Sequence, residues 1–223
     1  MSDQVTVSFT GHRPNRMRAG ASRIEGQLTD VLRALKRGLP AQARQPRAVS
    51  ALAEGSDRLF AIAALRTGYA LEALLPFSAE DYRETFTDAA DDAFDDLMSR
   101  AVSIDELPGS LNSTTDAYEA VGAALVTCCD ILVSVWDGEG AAGRGGTPDI
   151  MQMAINTHKP IIWINAAQVL PTSIMHWKSA SDQTSPELAT LARSAHPASN
   201  SIISECSRNA HDSLQNFNIQ GDE

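Results

Sequence analysis

The chain has 223 residues, 43% hydrophobic and 21% charged, ordinary globular composition and length for one well-cored α/β domain with an appendage. Its net charge of −10 and pI near 4.9 oppose a sequence-independent nucleic-acid binder, whose affinity comes from neutralising phosphates. The sequence shows no run of about 18 apolar residues and no secretion signal, and three cysteines, with Cys128 and Cys129 adjacent, fit a reduced cytoplasmic protein better than a disulfide framework or metal site.

Val5 to Thr10 alternates like a strand and stops at Gly11-His12-Arg13-Pro14. Arg13, Arg16 and Arg18 then form a basic edge in an acidic protein. Gly11 permits close backbone approach there, and His12 or Arg13 is placed to meet a phosphate or carboxylate, which arginine binds bidentately. Ile24, Leu28, Val31, Leu32 and Leu35 recur at helical spacing between Ala21 and Leu39 and predict a covering helix. A second strand, Arg47 to Leu52, closes on Ala53-Glu54-Gly55-Ser56-Asp57 before a helix from Arg58 to Thr67. Ser56 or Asp57 is a capping residue for that helix, and Glu54 or Asp57 is a candidate acceptor for ribose hydroxyls.

Gly68 ends the helix and Ala70 to Leu75 gives a third strand. Ala79 to Arg100 is acidic and amphipathic, with Tyr82, Phe86, Ala90, Phe94 and Leu97 near helical spacing. Its carboxylates read as a solvated helix face rather than a metal cluster. Val102 to Ile104 is one more short strand, and Ser113, Thr114, Thr115 or Asp116 caps a helix whose apolar face is Ala117, Val121, Ala124, Leu125 and Cys128. Tyr118, in its first turn, is either packed or laid over a base.

Ile131 to Trp136 is an apolar, β-branched run ended by Asp137-Gly138, a buried strand reaching a loop. Gly143-Arg144-Gly145-Gly146-Thr147-Pro148 then opens a helix, with Thr147 at N-cap and Pro148 at the first helical position. Unpaired amides of a helix's first turn, its dipole and adjacent glycines together make an anion site, so a phosphate is expected here. Pro160 to Asn165 is the last clear strand. From Pro171 the chain is polar, with helical signals only at 186–195 and 202–214, and His176, His196 and His211 lack metal-ligand spacing.

Strands alternating with helices predict a doubly wound, mainly parallel sheet with helices on both faces, a three-layer α/β/α domain over 1–168, plus a polar, partly helical C-terminal extension over 169–223 that serves as an assembly element or linker. Right-handed crossovers put the strand C-terminal ends on one edge, where the loops after Thr10, Leu52 and Trp136 meet in one crevice.

With these residues in view, the chain resembles the SLOG superfamily of Rossmann-like domains, particularly its YpsA-like members. The matching pieces are Thr10 to Pro14, Ala53 to Arg58, Leu75-Pro76-Phe77 with Asp81-Tyr82 and Phe86, Val135 to Gly138, and Gly143 to Thr147. The resemblance implies a pocket for nucleotides or nucleotide-derived signals. Gly145, Gly146 and Thr147 would hold phosphate; Gly11, His12, Arg13, Glu54, Gly55, Ser56 and Asp57 would line the pocket, and Asp137 and Gly138 would flank it, with Arg144 pairing to phosphate. Such domains include sensors of ADP-ribose-like molecules in bacterial anti-phage systems, phosphoribohydrolases, and the DNA-processing protein of natural transformation. The phosphoribohydrolases carry a glutamate three residues after the threonine, where this chain has Ile150, and Asp149 is one residue early. A one-residue step turns a helical side chain by about 100°. The leading expectation is a cytoplasmic, homo-oligomeric sensor of a nucleotide-like ligand, acting on an effector partner or fused module. It uses no metal and no cofactor and assigns no catalytic residue. The alternatives are an N-glycosidic hydrolase of nucleoside monophosphates and a DNA-binding module, the latter opposed by the acidic balance.

Overall fold

The apolar runs become strands and the periodic stretches become helices, in the order β1 (Thr6–Gly11), α1 (Ala21–Gly38), β2 (Arg47–Ser50), α2 (Ser56–Thr67), β3 (Ala70–Leu75), α3 (Ala79–Glu84), α4 (Asp92–Arg100), β4 (Ser103–Glu106), α5 (Thr114–Cys128), β5 (Ile131–Trp136), α6 (Thr147–Asn156), β6 (Ile161–Asn165) and β7 (Ser173–Met175). The structure is a computed structural model and describes residues 4–39, 45–87, 92–140 and 144–175. One seven-stranded sheet has the order β4-β3-β2-β1-β5-β6-β7. Every neighbouring pair is parallel except β6 with β7. The strand order reverses between β1 and β5, so the loops following those two strands diverge above the centre of the sheet.

Alternation along the strands sorts the core into two layers. Val7 and Phe9 of β1, Val133 and Val135 of β5, and Ile162 and Ile164 of β6 pack with Ile24, Leu28, Leu32 and Leu35 of α1 and Phe60 of α2. Leu132, Trp136 and Ile161 point the other way, onto Val126 of α5 and Ile150, Met151 and Ala154 of α6. The helical spacing in α1 therefore has a plain cause: its apolar stripe is the surface that covers the sheet. None of the described helices is long and apolar enough to cross a membrane.

Several expectations change. The helical spacing across Ala79 to Arg100 is realised as two helices, α3 and α4, because a local bond closes the first and tertiary bonds then hold the chain away from its axis. Thr85 closes α3 by donating its hydroxyl to the Tyr82 carbonyl at 2.8 Å, and the Thr87 amide and hydroxyl bind Glu54 at 2.8 and 3.0 Å. Neither Ser56 nor Asp57 caps α2 through its side chain, since Gly55 occupies the N-cap position and the Ser56 hydroxyl is drawn to the His12 carbonyl at 2.8 Å. Likewise Gly146, not Thr147, is the N-cap of α6, and Thr147 opens the helix with its side chain buried. Ser113 holds the N-cap position of α5 without a side-chain capping bond. The sheet also continues past residue 168, because β7 pairs with β6. The helical signals at 186–195 and 202–214, and His176, His196 and His211, lie outside the described residues.

Candidate functional site

Parallel strands ending on one edge bring the loops after β1, β2 and β5 and the start of α6 to the same side of the sheet. The β1 and β2 loops are fused by close packing. The Ser56 amide and hydroxyl both donate to the His12 carbonyl, at 3.2 and 2.8 Å. Gly11 is required for this approach, since a Cβ there would lie 2.2 Å from the Ser56 hydroxyl oxygen. Gly55 is required twice over: its φ is +95°, and a Cβ would lie 2.8 Å from the His12 carbonyl oxygen. The space that these two glycines provide is thus filled by the neighbouring loop.

His12 and Asp137 follow the two strands that flank the reversal point, and they meet across it. The His12 Nε2 lies 2.9 Å from the Asp137 carboxylate. Arg16 grips the same carboxylate with Nε at 2.8 Å and Nη2 at 2.7 Å, and the Glu139 amide donates to it at 3.0 Å. Burial works to raise the Asp137 pKa, but these bonds outweigh it and hold the carboxyl below its usual range. Burial lowers the pKa of His12 against the opposing pull of Asp137, so the imidazole is neutral at pH 7. An ionised acceptor at Nε2 then selects the Nε2–H tautomer.

A second cluster surrounds the β2 loop. Glu54 is buried and accepts from Arg13 Nη1 at 3.1 Å as well as from Thr87. Arg58 donates to the Leu52 carbonyl at 3.1 Å and lies over the Phe86 ring, 4.4 Å from its centroid. Asp57 is buried beside these cations, and burial pushes its carboxyl up to about 8 in spite of Arg13 and Arg58.

The glycine loop before α6 is the third part. Residues 144–147 are described, whereas Gly143 lies outside the described residues. The Gly145 amide donates to the Asp149 carboxylate at 2.8 Å. The Gly146 and Thr147 amides hydrogen-bond to nothing among the described residues. Arg144 is exposed and pairs with Glu119, with Asp116 at 3.9 Å. Beneath α6, the fully buried Ser134 hydroxyl has no hydrogen-bond partner among the described residues. Ser134 sits between Leu132 and Trp136, which pack on α6, and opposite Thr10 in register.

No family model matches the chain, and no curated protein matches it in sequence. Solved structures similar to it include TM1055, a structural-genomics target, at 14% identity and a TM-score of 0.44, covering 70% of this chain and 72% of that one. DNA processing protein A from Streptococcus pneumoniae has 16% identity and a TM-score of 0.48, covering 85% of this chain, which spans 56% of that one. The molybdenum cofactor carrier protein from Chlamydomonas reinhardtii has 14% identity and a TM-score of 0.43, covering 72% of this chain and 75% of that one. The fold is Rossmann-like. That statement rests on the strand order, parallel register and two helical layers of this chain itself, and it is what the resemblance to the SLOG superfamily implies.

Within this Rossmann-like sheet, Gly11, His12, Arg13, Glu54, Gly55, Ser56, Asp57, Asp137 and Gly138 all fall on the loops after β1, β2 and β5, and Arg144 to Thr147 lie at the start of α6. Arg13 and Glu54 are partners, as are His12 and Asp137. Sequence reasoning passes over Arg16, Arg58, Thr87 and Asp149 as members of the site. Arg16 does stand out as part of a basic edge, but its partner lies 121 residues away, and no local signal marks Thr87 as the partner of Glu54.

Proposed function

We propose that this domain binds a phosphorylated nucleoside or an ADP-ribose-like signal in the crevice where the β1, β2 and β5 loops face the start of α6. The carrying observation is the reversal of strand order between β1 and β5, the place where ligands enter sheets of this kind, with Arg13 and Arg16 on one loop and, at a helix N-terminus, two amides that hydrogen-bond to nothing among the described residues. In this reading the amides of Gly146 and Thr147 hold a phosphate, Arg144 turns from Glu119 to pair with it, and the sugar extends toward the β1 and β2 loops. Occupancy changes homo-oligomeric assembly or the activity of an effector partner in the cytoplasm.

Two features favour binding over phosphoribohydrolase chemistry at the α6 loop. Ile150 stands where that mechanism needs a glutamate, and it is buried against Gly122. Asp149, the neighbouring carboxylate, is committed to the Gly145 amide. A net charge of −10 favours a small anion held by local arginines over a long polyanion. The test is a thermal-shift screen against nucleoside mono- and diphosphates, cyclic nucleotides, NAD and ADP-ribose, with mass spectrometry of each mixture. A stabilising ligand recovered intact supports the reading. The absence of any stabilising nucleotide refutes it.

A further inference from the structure

Four buried titratable side chains of the site carry acceptor atoms, and three of them are already engaged. One Glu54 oxygen is bound by the Thr87 amide and the other by the Thr87 hydroxyl and Arg13. Arg16 binds both Asp137 oxygens, one of which also takes His12 and the Glu139 amide. Asp57 is buried, and its carboxyl meets its own backbone amide. His12 is the exception. Its Nδ1 hydrogen-bonds to nothing among the described residues, and because that atom is not fully enclosed, the 5% of His12 that stays exposed includes it. We propose that His12 is the ribose-recognising residue of the site: its Nδ1 accepts a hydrogen bond from a sugar hydroxyl, so the domain selects ribonucleotides over their deoxy counterparts. The inference rests on the nucleotide-binding reading above and adds the sugar that the site takes and the residue that selects it.

The polarity of His12 follows from its partner. Burial keeps the imidazole neutral, and the ionised Asp137 carboxylate, 2.9 Å from Nε2, fixes the proton there. The lone pair is therefore on Nδ1. A phosphate at pH 7 offers oxygens that accept, so it finds no donor at this nitrogen, whereas a hydroxyl donates to it. The ring is also held in place before any ligand arrives. The His12 amide donates to the Val135 carbonyl at 3.0 Å, its carbonyl accepts the Ser56 amide and hydroxyl, and Arg16 and the Glu139 amide fix the Asp137 carboxylate that grips the ring. An acceptor oriented in this way costs a ligand little ordering. A sugar lacking the hydroxyl covers Nδ1 with a C–H group and leaves a desolvated acceptor unpaired, which is how a site built around a hydroxyl rejects the analogue without it.

A His12 that serves only to join the β1 and β5 loops through Asp137 predicts no sugar preference, and one experiment separates the two roles. Isothermal titration of the full chain compares adenosine 5′-monophosphate with its 2′-deoxy and 3′-deoxy forms, for wild type and His12→Gln. The glutamine amide can still donate to Asp137, but it carries no atom in the place of Nδ1. Wild type should bind the ribonucleotide about tenfold more tightly than at least one deoxy form, the loss of one hydrogen bond to an otherwise unpaired acceptor. In His12→Gln that preference should vanish, with the ribonucleotide weakened to the level of the deoxy form. A second readout needs no variant: in wild type carrying isotope-labelled histidine, the His12 Nδ1 resonance should move when the ribonucleotide binds and stay in place with inorganic phosphate. Equal affinity of wild type for all three nucleotides overturns the inference, as does a preference that survives in His12→Gln or an Nδ1 resonance unmoved by bound ribonucleotide. Each of these results leaves the nucleotide-binding reading standing. Failure to bind any of the three nucleotides, with no hit in the wider nucleotide screen, would overturn that reading itself.

Discussion

Replacing Asp57 by asparagine should flatten the pH dependence of stability. The Asp57 carboxyl is buried, and its pKa is raised from 3.8 to about 8 by burial. In the unfolded chain it ionises near its ordinary value, so between about pH 4 and pH 8 the unfolded state sheds a proton that the folded state retains. A group raised in this way contributes its full stability below the unfolded pKa and loses it as pH rises through the folded one. Each unit costs about 1.4 kcal/mol, which at pH 7 amounts to about 4 kcal/mol relative to pH 4. Asparagine has nearly the same shape and does not ionise in either state. Denaturant unfolding of both proteins at half-unit steps from pH 4.5 to 8.5 should show a gap in the variant's favour that widens with pH and levels off above about 8. Parallel curves would refute the reasoning, because they would mean that Asp57 is ionised in the folded protein and its charge is carried by Arg13 and Arg58.

Three further outcomes follow from the same geometry. Gly55→Ala should destabilise the fold by about 2 kcal/mol or more in a chemical unfolding experiment, since it combines a left-handed backbone with a Cβ 2.8 Å from the His12 carbonyl oxygen. Asp137→Ala should cost about 2 to 4 kcal/mol at pH 7 by the same measurement, because it strips a shared acceptor from His12, Arg16 and the Glu139 amide at the join of the β1 and β5 loops. Arg144→Ala should change the stability of the free protein by no more than about 0.5 kcal/mol, as its ion pair is exposed, yet weaken nucleotide binding about tenfold or more in titration calorimetry, from loss of a charge-assisted contact of about 1.5 to 3 kcal/mol.

The strands and α1 were legible because their patterns have one physical cause. β5 is buried along its whole length and reads as an unbroken apolar run, and α1 covers the sheet with one face and reads as a stripe at helical spacing. The break between α3 and α4 was not legible, since it depends on Thr87 binding Glu54 across 33 residues, and local periodicity carries no trace of such a bond. The caps failed for a related reason. Serine, aspartate and threonine are favoured at helix starts on average, but Ser56 serves the β1 loop and Asp57 is buried among cations. For the site, glycine turns after strands gave the loop positions, because parallel topology alone sends them to one edge. Which charges pair there was hidden: Arg13 with Glu54 and Arg16 with Asp137 are contacts between loops distant in sequence. The seventh strand was missed because a three-residue edge strand in a polar stretch shows too few alternations to register.

The central claim is that a nucleotide phosphate sits at the start of α6 above the junction of β1 and β5, and a crystal structure with the ligand found in the thermal-shift screen tests it most directly. The account predicts phosphate oxygens within hydrogen-bond distance of the Gly146 and Thr147 amides and the sugar directed toward His12 and Glu54. A ligand bound elsewhere, with Arg144 still on Glu119, would contradict it.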